Sequence, residues 1–148
     1  SDVLLYNVRP QAMARLGLDY PACRAINPGI IHVSACGFGE EGPYAGRPAF
    51  DDLIQGLCAL PSLIALTGDG HPRYVPLAMV DRYVGIHVVV AVLGAYIHKM
   101  RTGEGQEVEV PMFETMAECI LSDHSGGAMF DLDRLSERLV ARIAEALA

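Results

Sequence analysis

Ile30-Ile31-His32-Val33-Ser34-Ala35-Cys36, running straight into Gly37-Phe38-Gly39-Glu40-Glu41-Gly42-Pro43, is the stretch on which the fold turns. Its first seven residues are β-branched and nearly all apolar, so they read as a strand. The adjoining segment Gly37–Pro48 holds four glycines and two prolines, a loop built from several fixed turns. Upstream, Val3-Leu4-Leu5-Tyr6 is another continuous apolar run, the pattern of a strand covered on both faces in a parallel sheet. Two short helices are expected between these strands. Pro10 suits a helix start, Gln11–Leu16 are helix formers and Gly17 suits the stop; Tyr20–Ile26 ends at Asn27-Pro28.

Downstream, apolar residues at Phe50, Leu53, Ile54 and Leu57 have helical spacing over Phe50–Leu60, and Pro61 to Pro76 reads mostly as loop. Arg82–Arg101 is the longest helical candidate. It is apolar nearly all round, as a central buried helix would be. Thr102-Gly103-Glu104-Gly105 breaks it. Gln106–Val110 then alternates with period two, and Met112–Ser122 returns to helix until Ser125-Gly126-Gly127. Asp131 reads as the N-cap of a last helix with Leu132, Leu135, Leu139, Ile143 and Leu147 on one stripe. The class is α/β, helix-rich.

Composition narrows the function. A chain of 148 residues, 51% hydrophobic, can fill one core. Eleven basic against eighteen acidic side chains give a net charge of −7, which argues against nucleic acid or an anionic membrane as partner. The apolar run Val84–Ile97 is interrupted by His87 and is shorter than the ~20 residues a membrane span needs. No secretory signal opens the chain, and four scattered cysteines without a C-x-x-C pair read as reduced thiols, so a cytoplasmic protein is expected.

Few motifs carry chemistry on their own. Gly37–Gly42 matches G-x-G-x-x-G, but Pro43 and more loop come next where a dinucleotide site needs a helix, and Glu40-Glu41 bring negative charge where phosphate would sit. A glycine-rich connection is the better reading. His87 and His98 stand about 16 Å apart along a helix axis, too far to share a metal, and no metal site is expected. No G-x-S-x-G elbow is present. Asp51-Asp52 begin a helix, where they favour its dipole. Asp81 lies between the apolar Val75–Val80 and the long helix. It reads as an N-cap, as a partly buried reactive carboxylate at a helix N-terminus, or as both.

In order along the chain, five motifs resemble the family III CoA-transferases. They are Asn27-Pro28 before a strand, Gly37-Phe38-Gly39 with Gly42-Pro43-Tyr44, Phe50-Asp51 with Gln55, Asp81 with Gly85, and above all Arg101-Thr102-Gly103-Glu104-Gly105-Gln106. The likeness runs from Asp2 to about Ser122 and covers the family's middle portion only. It implies an α/β fold, a helix-rich fragment of a Rossmann-like CoA-transferase large domain with long linking helices. Residues 1–130 are expected to be that partial domain, and 131–148 a C-terminal amphipathic helix of separate character.

The resemblance also implies an activity, acyl-CoA:carboxylate CoA transfer, with coenzyme A as a substrate, no permanently bound cofactor, and a homodimer. Asp81 matches the family's nucleophile, and Asp51 an acidic position near the family's site, where it would position or polarise. Asn7, Ala12, Arg15 and Leu16 match positions that contact CoA, with Arg15 as the phosphate ligand. Two positions depart from the pattern. Cys36 stands where a CoA-contacting lysine is found. Phe50 stands where the related α-methylacyl-CoA racemases carry a histidine, which disfavours two-base racemisation. A non-catalytic oligomerising fragment or redesigned module, held by the long helix and the striped C-terminal one, is the alternative from a different class, and a racemase-type enzyme of the same fold is the weaker one.

Overall fold

The computed structural model describes residues 1–125; the helix expected over 131–148 lies outside them. Three short strands, β1 (Val3–Tyr6), β2 (Ile31–Ser34) and β3 (Gln106–Glu109), form one parallel sheet in the order β1-β2-β3. Val3 pairs with Ile31 and Ile31 with Gln106, so the strands run level with one another. Parallel neighbours need long crossovers. The first carries α1 (Pro10–Arg15) and α2 (Tyr20–Ile26); the second carries α3 (Asp51–Leu57), α4 (Leu60–Thr67) and α5 (Met79–Thr102). Beyond β3 lies α6 (Met112–Ser125).

β2 is the middle strand, and all four of its residues are buried. Ile31 and Val33 point into the main core with Ile54 of α3, Val80, Val84 and Val88 of α5, and Met116 and Ile120 of α6. Each fully buried aliphatic side chain of this set contributes about 1.5–3 kcal/mol. His32 and Ser34 face the other side of the sheet. There the His32 Nε2–H donates to the Leu18 carbonyl at 2.9 Å and ties the α1–α2 link to the strand. β3 alternates as expected, with Gln106 and Val108 partly covered and Glu107 and Glu109 exposed.

Several expectations need correction. β1 is only partly covered, with Leu5 exposed, rather than buried on both faces. The helix expected over Phe50–Leu60 breaks at Cys58-Ala59, where Ala59 takes a left-handed conformation (φ 57°). α4 then occupies part of the segment read as loop, because Pro61 sits within its first turn, where a missing N–H costs nothing. α5 begins at Met79 rather than Arg82, and it is not buried all round. One stripe (Val80, Val84, Val88, Ala95) meets the core, while Ile86, Val89, Val90, Leu93, Ile97 and Met100 are exposed. With 24 residues α5 is long and apolar enough, by length and composition, to cross a membrane, yet it packs on β2, β3, α3 and α6.

The Thr102–Gly105 break is a structural seam. Gly103 caps α5 in the left-handed region (φ 80°), a conformation that suits glycine, and its N–H donates to the Lys99 carbonyl at 2.7 Å. Gly105 passes so close to the Gly29-Ile30 backbone that a Cβ would stand 2.0 Å from the Ile30 oxygen. Its N–H donates to the Pro28 carbonyl at 3.2 Å. The Asn27 side chain accepts from the Gly29 N–H at 3.0 Å and shapes the turn that Gly105 meets.

Candidate active site

A cleft of about 700 Å³ opens just past the carboxyl ends of all three strands. Asn7 follows β1, Ala35-Cys36-Gly37 follow β2, and Met112 lies shortly after β3. The first turns of α1, α3 and α5 complete it with Ala12, Asp51 and Asp81. Open parallel sheets hold ligands at this edge, because the strands end there and the helices that come after them present N-terminal N–H groups.

The two carboxylates come together here through a short chain of hydrogen bonds. Asp51, in the first turn of α3, receives the Asp81 backbone N–H on Oδ2 at 3.0 Å. Its Oδ1 accepts from Gln55 Nε2 at 2.6 Å. The N-cap of α5 is Ala78, with no side-chain cap, so Asp81 is the third helical residue. The N-cap reading of Asp81 is therefore wrong. Asp51, from another helix, satisfies one of the donors that the first turn of α5 leaves without an intrahelical partner. Asp81 itself is exposed yet lines the cleft. Partial desolvation against the cleft, and then the charge of Asp51, raise its carboxyl above the ordinary aspartate range.

The other expected residues divide. Asn7 and Ala12 line the cleft; Arg15 and Leu16 stand at the far end of α1, exposed and outside its lining. Two cations that the sequence left unnoticed do line it, Arg9 and Arg47. Arg47 stacks over the Tyr44 ring at 4.9 Å. Both belong to turns whose three-dimensional course carries no periodic signal. Gln55 is also new as a site residue; its trace in the sequence is the i, i+4 spacing from Asp51 on the buried side of α3. Phe50, 76% exposed, forms part of the wall beside Asp51.

The glycine-rich loop is occupied by the protein's own carboxylates. The Gly39 N–H donates to Glu114 Oε1 at 3.0 Å, and the Glu40 N–H to Glu109 Oε1 at 2.9 Å. Donors that would cradle a pyrophosphate are thus engaged. The Cys36 thiol donates to the same Glu109 oxygen at 3.1 Å, and burial together with that carboxylate pushes it up to about 12. It is a thiol, not a thiolate, at neutral pH. All four cysteines are free. Among the described residues, no group of three or more His, Cys, Asp or Glu side chains is arranged to hold a metal.

Sheet, cleft and paired carboxylates define an α/β domain whose polar edge groups converge at the strand ends. The family model for CoA-transferase family III matches residues 1–130, and the chain belongs to that family. It is 36% identical over 119 residues to the succinate–glutarate CoA-transferase of Agrobacterium fabrum, covering 79% of this chain and 29% of that protein. It is 37% identical over 114 residues to the formyl-CoA:oxalate CoA-transferase of Streptomyces coelicolor, covering 76% and 27%. Among solved structures, a CaiB/BaiF family protein from Brucella suis superposes with a TM-score of 0.77 at 34% identity, over 88% of this chain and 34% of that one. The chain therefore spans about a third or less of the length of these relatives.

Proposed function

We propose that this chain carries the nucleophilic centre of an acyl-CoA:carboxylate CoA-transferase, with Asp81 as nucleophile and Asp51 as its fixed neighbour. The observation that carries the reading is the Asp51–Asp81 pair, held by named hydrogen bonds at the lip of a cleft past the strand ends. An Asp81 oxygen attacks the thioester carbonyl, the C–S bond breaks, and CoA leaves as thiolate from a mixed anhydride. The thiolate then attacks the aspartyl carbonyl, releasing the first acid and leaving an aspartyl-CoA thioester. The acceptor carboxylate attacks that thioester, expelling the thiolate and forming a second anhydride. Attack of the thiolate on the acceptor's carbonyl gives the new acyl-CoA and restores Asp81. The covalent route splits the exchange of CoA between two acids into successive acyl transfers, each at one carbonyl in the site. Water must be kept from the anhydride.

Coenzyme A is a substrate on this reading, and no resident cofactor is invoked. Asn7 and Ala12 at the cleft, with Arg15 and Leu16 further along α1, are its contacts on this reading, Arg15 to phosphate. The CoA-transferase part comprises residues 1–130, with 131–148 a separate C-terminal segment. The exposed apolar face of α5 serves a homodimer. Relatives named for succinate, glutarate, malate and oxalate support an acceptor from among the small carboxylic acids.

Incubation with an acyl-CoA and hydroxylamine tests the reading, because the amine intercepts an activated aspartyl carbonyl. Mass spectrometry is expected to find a hydroxamate on Asp81, and none in Asp81→Asn. Unchanged CoA transfer by Asp81→Asn would remove the proposal.

A further inference from the structure

We infer that Gln55 is the positioning residue of the carboxylate pair: its buried amide holds Asp51, which holds the backbone of Asp81, and it ties both to the segment leading into α5. The inference deepens the transferase reading and rests on it.

The Gln55 side chain is 0% exposed, so each of its polar atoms must find a partner inside the protein. Its Oε1 accepts from the Val75 N–H at 2.9 Å, which fixes that end of the amide as oxygen. The nitrogen end therefore faces Asp51 Oδ1, at 2.6 Å, with the Val75 and Leu77 carbonyls further off at 3.4 and 3.5 Å. The position calls for a side chain that accepts at one end and donates at the other. Ionised glutamate has the shape without the donor, and leucine has neither group. Asp51 and Gln55 share one face of α3, so the amide and the carboxylate form a single rigid arm. That arm reaches the first turn of α5 at the Asp81 N–H. Gln55 touches no substrate on this reading. It sets where the reacting carboxylate stands.

The test compares wild type with Gln55→Leu and the isosteric Gln55→Glu in the transferase-active protein. With Gln55→Leu, kcat for CoA transfer is expected to fall about 100-fold, the scale of an ångström misplacement, with KM for acyl-CoA changed less than about threefold. Gln55→Glu is expected to be equally poor at pH 8 and to recover as the pH falls, because a protonated carboxyl regains a donor for Asp51. Turnover is normalised to the folded fraction at each pH, so that the recovery reports placement of Asp51 and not refolding. Independently of turnover, amide hydrogen exchange at Asp81 is expected to quicken at least about tenfold in both variants near neutral pH, with Ile31 and Val33 unchanged. Wild-type turnover in either variant at pH 8, or unaltered exchange at Asp81, would overturn the inference. Should wild type form no Asp81 adduct, the transferase reading fails on its own, and the exchange result still decides whether Gln55 holds the pair.

Discussion

Replacing Gly105 by alanine probes the seam that brings β3 beside β2. The added methyl would stand 2.0 Å from the Ile30 oxygen and 2.5 Å from the Gly29 carbonyl carbon, whereas ordinary contacts begin at 3.4 Å. Both obstacles are backbone, so no side chain can swing aside; the two chain segments must part by more than an ångström. Parting them stretches the Gly105–Pro28 hydrogen bond and strains the Ile31–Gln106 end of the ladder. Overpacking of this kind costs about 1–3 kcal/mol, and a lost hydrogen bond about 1 more. A loss of about 2–4 kcal/mol is therefore expected, or roughly 6–15 °C in Tm. Urea unfolding followed by circular dichroism measures it against two controls. Gly103→Ala has open space but a φ of 80°, and should lose only about 1–2 kcal/mol. Gly94→Ala, with nothing near its Cβ in mid-helix, should gain about 0.5–1 kcal/mol. A Gly105→Ala protein within about 0.5 kcal/mol of wild type, or less affected than Gly103→Ala, would refute the steric reasoning.

Three further outcomes are expected. In an NMR titration the Asp81 carboxyl should protonate above the ordinary aspartate range, and Asp51→Asn should lower its pKa, moving the acid limb of any Asp81-dependent activity to lower pH; an unmoved titration counts against the pairing. A group with a raised folded pKa favours folding in its protonated form, so Asp81 should oppose folding increasingly as pH rises through its titration. Cys36, pushed up to about 12, should resist iodoacetamide at pH 7.5, and Glu109→Gln should hasten its alkylation. Peptide mapping decides this, and labelling as fast as free cysteine contradicts it. Val90→Asp combined with Leu93→Asp on the exposed face of α5 should convert a dimer to monomers in sedimentation velocity; an unchanged dimer would mean that it forms elsewhere.

How far the sequence could be read varies with the kind of signal. α2 appears over Tyr20–Ile26 as expected, and β2 within the expected stretch, because caps, β-branching and flanking turns agree there. α4 went unread because Pro61 carries the same letter at a loop start as in the first turn of a helix. α5 shows the limit of periodicity. An all-round apolar helix looks buried, yet residues 1–125 cover only its Val80–Ala95 stripe. Asp81 and Asp51 were both legible as candidates through the resemblance, but not the hydrogen bond between them, since they lie thirty residues apart along the chain. Arg9 and Arg47 were unreadable as site residues because tertiary packing alone brings them to the cleft, whereas Gln55 left its i, i+4 spacing from Asp51 without a role.

Asp51 and Asp81 both ride on the single crossover that leaves β2 at Ser34 and returns at Gln106. Closing so long an excursion is entropically slow to be rewarded, although each doubling of its length adds only about 0.6 kcal/mol. During synthesis β1 and β2 are available to pair while most of the excursion has yet to be made. The two carboxylates thus emerge before the strand that completes their platform, and the docking of β3 is the event that closes the sheet beneath them.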